Sequence, residues 1–138
     1  MNKFLIINGP NLNLLGQRQT QIYGETSFDD FLLELRSEFQ EFEIDFLQSN
    51  YEGEIIDAIQ ISQHVGIVLN AGGYSHTSVA IRDAIAAVTI PVVEVHISNI
   101  SARETFRHES ILSPVCQGVI FGFGLKSYRL ALLSFITK

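Results

Sequence analysis

Two side chains separated by one residue carry the first suggestion of chemistry in this sequence. Glu94 and His96 lie in the run 91–97, and in an extended strand positions i and i+2 point to the same face. A carboxylate beside an imidazole fixes which ring nitrogen carries the proton and suits the ring to donating one. The same pair can also be read as a strand-end histidine that satisfies local hydrogen bonds. Arg18 and Tyr23 lie close together in a polar stretch. A free tyrosine titrates near ~10, and each unit by which a site lowers that value takes roughly 1.4 kcal/mol of preferential phenolate stabilisation. A neighbouring guanidinium can supply it, and the resulting phenolate is a base for a carbon-bound proton. Equally, Tyr23 can cover an apolar edge while Arg18 stays in solvent.

A third polar group is Asn70-Ala71-Gly72-Gly73-Tyr74-Ser75-His76-Thr77-Ser78, a glycine-containing turn running into a helix whose amino end can receive an anion or a hydroxyl-rich ligand. Thr77 or Ser78 is the expected cap. Other templates fail. Ser75 and His76 are neighbours, which does not make a dyad, and no G-x-S-x-G elbow is present. Gly122-Phe123-Gly124-Leu125-Lys126-Ser127 lacks the third glycine of a dinucleotide fingerprint and follows the last predicted strand, so it reads as a tight turn. Lys3, Lys126 and Lys138 lie near the chain ends or in that turn, poor places for a buried Schiff-base amine. Cys116 and the scattered histidines offer no standard zinc spacing, leaving His76, Glu94 and His96 as the one conceivable metal set. His64 and His108 read as surface histidines.

These residues need a scaffold, and the hydrophobic pattern supplies one. Phe4-Leu5-Ile6-Ile7 is a short apolar run cut by Asn8-Gly9-Pro10, which suits a buried strand ending in a turn. Residues 11–25 show no period and predict a long loop of the kind that often serves as a lid. Ser27 with Asp30 marks a helix start, and Phe28, Phe31, Leu32, Leu35, Phe39 and Phe42 follow on one face. The alternation of Ile44 and Phe46 predicts a second strand, and 54–63 a helix. Strands are expected at 66–69, 91–95 and 119–121, helices at 78–87 and 125–136, and one or two helical turns at 102–108.

That order is βα repeated five times. Apolar, β-branched strands of this kind are covered on both faces, so a parallel sheet with helices on each side follows. The flavodoxin-like order 2-1-3-4-5 is the simplest doubly wound solution, and residues 1–138 read as a single domain. In such sheets the ligand crevice lies at the carboxyl ends of the strands beside the reversal of strand order. Asn8 and Asn11 follow the first strand, 70–78 the third, and Glu94, His96, Ser98 and Asn99 end the fourth. Three separated segments thus converge on one crevice.

Composition narrows the function classes. Hydrophobic residues make up 46% of the 138 and charged residues only 17%, against the signature of disorder. So few charges on so small a domain point to apolar surface covered by further copies, hence a homo-oligomer. The net charge of -6, without a basic run, argues against nucleic acid. The longest strongly apolar stretch, 84–93, contains Pro91 and falls well short of the ~20 residues that span a bilayer. The run after Lys3 is too short for a secretory signal, and a lone cysteine fits a cytoplasmic setting.

The stretch Ile7-Asn8-Gly9-Pro10-Asn11-Leu12-Asn13-Leu14-Leu15-Gly16, with Arg18 and Tyr23-Gly24 after it, resembles type II 3-dehydroquinate dehydratases. The segments 70–78, Glu94-Val95-His96-Ile97-Ser98-Asn99 and Arg103-Glu104-Thr105-Phe106-Arg107 resemble the same family in the same order, so the likeness spans essentially the whole chain. It implies a cofactor-free, metal-free lyase of the shikimate route that converts 3-dehydroquinate to 3-dehydroshikimate by anti elimination of water through an enolate, without a Schiff base. Carried onto matching positions, it makes Tyr23 the base and Arg18 its cation. His96, supported by Glu94, protonates the departing hydroxyl, and Asn11 orders the water or enolate oxygen. Asn70, His76 and Arg107 would hold substrate hydroxyls, while Ser98 and the backbone at Ile97 and Ser98 would hold the carboxylate. Asp83 matches a position that reaches a neighbouring subunit's site, and the implied assembly is a dodecamer built from trimers. One departure stands out: Arg18-Gln19-Thr20 replaces the family's usual Arg-Glu-Pro, losing a charge and a rigid proline, which implies a looser lid. Competing readings are a flavodoxin-like binder of FMN or a phosphoryl group, disfavoured because Asn8 and Asn70 stand where an acidic cluster is needed, a metal-dependent lyase, and an inactive paralogue.

Overall fold

The computed structural model describes residues 1–15 and 27–137. Five strands, β1 (Asn2–Asn8), β2 (Phe42–Gln48), β3 (Gly66–Asn70), β4 (Val92–His96) and β5 (Gly118–Phe121), form one parallel sheet in the order β2-β1-β3-β4-β5. Four α-helices flank it among the described residues: α1 (Phe28–Glu38), α2 (Glu52–Ile61), α3 (Val79–Ala87) and α4 (Lys126–Ile136).

Side-chain alternation along the strands divides the core into two layers. Phe4 and Ile6 of β1 face α1 and α4, meeting Leu32, Leu35, Val68, Tyr128 and Leu132. Leu5 and Ile7 face α2 and α3, meeting Ile55, Ile59, Ile67, Leu69, Ile81 and Ile85. Both faces of β3 and β4 are buried throughout, as parallel strands between helical layers require. Ile55 and Ile59 are fully buried, each stabilising by roughly 1.5–3 kcal/mol.

The helix starts follow the predicted caps. Ser27 Oγ accepts from Asp30 N–H at 3.2 Å and Ser78 Oγ from Ile81 N–H at 3.0 Å, so Ser78 rather than Thr77 is the cap. Three readings need correction. Phe42 opens β2 instead of extending the first helical face. His64 is half-buried rather than a plain surface residue, its Nε2 2.8 Å from Asp45 Oδ2 and its Nδ1 2.8 Å from Ser62 Oγ, whereas His108 is exposed. The fourth βα unit, read as one or two helical turns at 102–108, holds no α-helix: β4 and β5 are joined by short 3-10 turns at Ile100–Ala102, Thr105–Arg107 and Ser113–Val115, while the fifth unit keeps α4 after β5. That stretch is rich in Ser, Arg and Glu, and its backbone is spent on positioning side chains.

Candidate active site

The reversal of strand order falls between β1 and β3, where Asn8 and Asn70 are register partners. The two strand ends approach closely. Gly9 N–H donates to Asn70 O at 2.7 Å, and a Cβ on Gly9 would lie 2.5 Å from Ala71 O, so only glycine fits. Gly72, at φ +60°, turns the chain after β3 back beneath Pro10.

A cavity of ≈ 130 Å³ opens at this point. Its polar lining comes from four places: Asn11 after β1; Asn70, Gly72, Gly73 and His76 at and after β3; His96, Ile97 and Ser98 at and after β4; and Arg103 with Arg107 beyond them. Pro10, Leu12, Leu14, Leu15 and Ile100 supply apolar walls. Both arginines and two imidazoles reach the cavity surface while, among the described residues, no Asp or Glu does, although the chain as a whole is acidic. Such a lining favours a small anionic ligand.

Glu94 is fully buried behind His96. One carboxylate oxygen meets His96 Nε2 and the other accepts from Ser113 Oγ at 2.7 Å. Burial alone would push the carboxyl up, but the bonds from His96 and Ser113, the imidazole's charge and the Ser110 hydroxyl together hold it below its ordinary value of 4.5. The His96 ring, bonded to Glu94 through Nε2, forms part of the cavity wall. The His76 ring lies 6.2 Å away at an interplanar angle of 24°, and its Nδ1 donates to Glu109 O at 2.8 Å.

The remaining cavity residues are also held. Asn11 sits in a left-handed conformation at φ 70°, with its N–H bonded to Asn50 Oδ1 at 3.1 Å. Asn50 in turn accepts from Tyr74 OH through its carbonyl at 3.0 Å. Arg107 is tied to Glu104 at 3.0 Å and lies 4.8 Å from the centre of the Phe106 ring. Asp83 lies apart, exposed on α3 beside Arg82. Arg18 and Tyr23, and the Gln19-Thr20 departure, fall outside the described residues. Among the described residues no group of three or more His, Cys, Asp or Glu is placed to hold a metal ion. In the set His76, Glu94 and His96, the nitrogens nearest the protein are already committed to Glu109 O and to Glu94 itself.

Sequence reading gave no role to three residues that matter here. Arg103 lines the cavity and donates to Ser98 Oγ at 3.4 Å. Ser113 reaches Glu94 from far along the chain, with no local signal to betray it. Tyr128 reads as one more core position of an amphipathic helix, yet its hydroxyl donates to Asn8 Oδ1 at 2.7 Å and accepts from Asn70 Nδ2 at 2.8 Å.

A doubly wound α/β domain with an imidazole–carboxylate pair and two guanidiniums at its switch point defines a flavodoxin-like protein whose site is built for a small anion. The family is more specific than that. The model of the family described as Dehydroquinase class II matches residues 2–136, and the chain belongs to that family. It is 56% identical over 136 residues to a 3-dehydroquinate dehydratase of an Exiguobacterium species, covering 97% of this chain and 94% of that protein. It is 51% identical over 138 residues to the 3-dehydroquinate dehydratase of Campylobacter jejuni, covering 97% of this chain and 87% of that one. Among solved structures, the type II dehydroquinase of Butyrivibrio crossotus superposes with a TM-score of 0.94 at 46% identity, covering 99% of this chain and 98% of that one. That of Propionibacterium acnes gives 0.93 at 40% identity over 100% and 98%.

Proposed function

We propose that this protein catalyses the reversible dehydration of 3-dehydroquinate to 3-dehydroshikimate. The observation that carries the reading is the buried Glu94–His96 pair opening onto a cavity lined by two arginines and, among the described residues, by no carboxylate. The substrate is a small carbocycle bearing one carboxylate and several hydroxyls. Its ring faces suit the leucine walls, and its polar rim suits Asn70, His76, Arg107 and Ser98.

The reaction divides into two proton transfers. Tyr23, kept as phenolate by Arg18, removes the proton alpha to the ketone, and the C–H electron pair moves into the carbonyl to give an enolate whose oxygen is ordered by Asn11. The enolate then collapses, the bond to the beta hydroxyl breaks on the opposite face, and His96 Nδ1 supplies the proton that turns the leaving group into water. Glu94 stabilises the imidazolium before the transfer and orients it throughout. The carboxylate is held by Ser98 and the backbone of Ile97 and Ser98, and it stays fixed while the reacting carbon changes geometry. No metal and no imine enters this scheme. Of the described lysines, Lys3 pairs with Glu43 and neither it nor Lys126 lines the cavity. In the proposed dodecamer of trimers, Asp83 reaches a neighbouring subunit's cavity, and the enzyme works in the cytoplasm.

Purified protein given 3-dehydroquinate is expected to build up the ultraviolet absorbance of the conjugated enone, and Tyr23→Phe, folded as judged by circular dichroism, is expected to abolish it. Wild-type turnover in Tyr23→Phe would remove Tyr23 as the base. Absence of enone from the native protein would remove the function.

A further inference from the structure

The connection from β4 to β5 bonds directly to His76 and to Glu94, the partner of His96. Glu109 O accepts from His76 Nδ1 at 2.8 Å, Ile111 N–H donates to Ser75 O at 2.9 Å, and Ser113 Oγ donates to Glu94 Oε1 at 2.7 Å. Between these contacts Leu112 is completely buried in the core layer of α2 and α3, so the strap is anchored rather than draped. Its hydroxyl at position 113 meets a carboxylate whose other oxygen is bonded to His96, with the Ser110 hydroxyl also close by. With Oε2 on His96 Nε2 and Oε1 on Ser113, the carboxylate plane is fixed, and through it the imidazole ring.

Resting on the dehydratase reading, we infer that Ser113 is a positioning residue of the proton donor: it holds the Glu94 carboxylate in the plane that aims His96 Nδ1 at the departing hydroxyl. It touches neither substrate nor reacting atom and acts only through Glu94. The groups acting on Glu94 are His96 on its own strand and Ser110, Ser113 and Cys116 on the connection, with His76 beyond the His96 ring. None of them except the imidazole is a cation, so the hydroxyl bonds count for much of what keeps this buried carboxylate charged. A Ser113 that served only to hold the 3-10 turn would act through its backbone, where Cys116 N–H bonds to Ser113 O at 3.1 Å, and not through Oγ.

The test is the pH profile of kcat for enone formation by the intact protein, in wild type, Ser113→Ala and Ser113→Thr. Ser113→Ala is expected to lower kcat about tenfold at neutral pH with KM changed less than twofold, and to move the acid limb upward by on the order of one pH unit. Ser113→Thr, which keeps the hydroxyl, is expected to restore both. Ser113→Cys, a weaker donor of similar volume, serves if the alanine variant does not fold, with the same upward movement expected. An active wild type whose acid limb stays in place in these variants, or a loss confined to KM, would overturn the role of Ser113 alone. A wild type that forms no enone would overturn the dehydratase reading, and the role with it. The two failures are therefore read from different samples.

Discussion

Asn8 and Asn70, register partners at the ends of β1 and β3, share the hydroxyl of Tyr128, which donates to the first at 2.7 Å and accepts from the second at 2.8 Å. A side chain of α4 thus ties together, from below, the two strands that diverge at the switch point, and it uses the Nδ2 of an asparagine that lines the cavity.

Tyr128→Phe removes that link and leaves a buried carbonyl and a buried amide without this partner. The Nδ2 of Asn8 already finds no partner among the described residues, so the site has little spare bonding to absorb the loss. Chemical denaturation is expected to show about 1–3 kcal/mol of destabilisation. Because Asn70 loses orientation, KM for 3-dehydroquinate is expected to rise several-fold.

Glu94 is charged and buried, and the folded state holds its carboxyl below the ordinary 4.5. A depressed value means that the contribution is fully present above about pH 4.5 and disappears as pH falls through the lower folded value. Stability from urea melts is therefore expected to decline with acidification below that point. Glu94→Gln, which keeps the shape, is expected to flatten this decline and to cost on the order of 100-fold in kcat at neutral pH by leaving His96 without its counter-charge. A melt series whose acid slope is the same with and without Glu94 would count against the assignment.

The fold was legible because its signals are local. Each strand is a short apolar run, the caps at Ser27 and Ser78 sit where hydroxyl residues precede a helical period, and the asparagines at 8 and 70 mark strand ends. Glu94 and His96 were legible for the same reason, since a period of two fixes their common face. The β4–β5 connection was legible in part: one or two helical turns are expected at 102–108, and the structure has 3-10 turns at Ile100–Ala102 and Thr105–Arg107. Residues 102–108 carry helix-compatible side chains, but Arg103, Arg107 and His108 each bond to the local chain or to the cavity, and this competes with a continuous helix. Ser113 and Tyr128 were illegible because their partners lie far off in sequence and are chosen by the tertiary fold.

Cys116 follows the strap that carries Ser113, and burial, together with the nearby Glu94 charge, pushes its thiol up to about 12. Little thiolate exists at neutral pH, so a thiol-directed disulfide reagent at pH 8 is expected to label unfolded but not folded protein. Raised above its ordinary 9.0, the group contributes stability that is fully present below that value and is lost as pH rises towards and through about 12. Cys116→Ala is expected to flatten this alkaline dependence of stability, and rapid labelling of the native protein would contradict a raised thiol at this half-buried position.

Gly9 offers the most direct test of how the crevice is built. A methyl group there would meet Ala71 O at 2.5 Å and Ala71 C at 2.7 Å, backbone atoms with no rotamer to change. Gly9→Ala must therefore push the turn after β1 away from the turn after β3, stretching the Gly9 N–H bond to Asn70 O and shifting Asn11 on its far side. The expected result is a folded protein destabilised by roughly 1–3 kcal/mol, with kcat/KM reduced more than tenfold because the cavity's two opposing walls no longer meet at the right distance. Gly53→Ala is the control, since a Cβ at that helical position meets nothing within 4 Å, and it is expected to leave activity unchanged and stability equal or slightly higher. Equal kinetics in the two variants would mean that the contact between the β1 and β3 turns does not set the shape of the site.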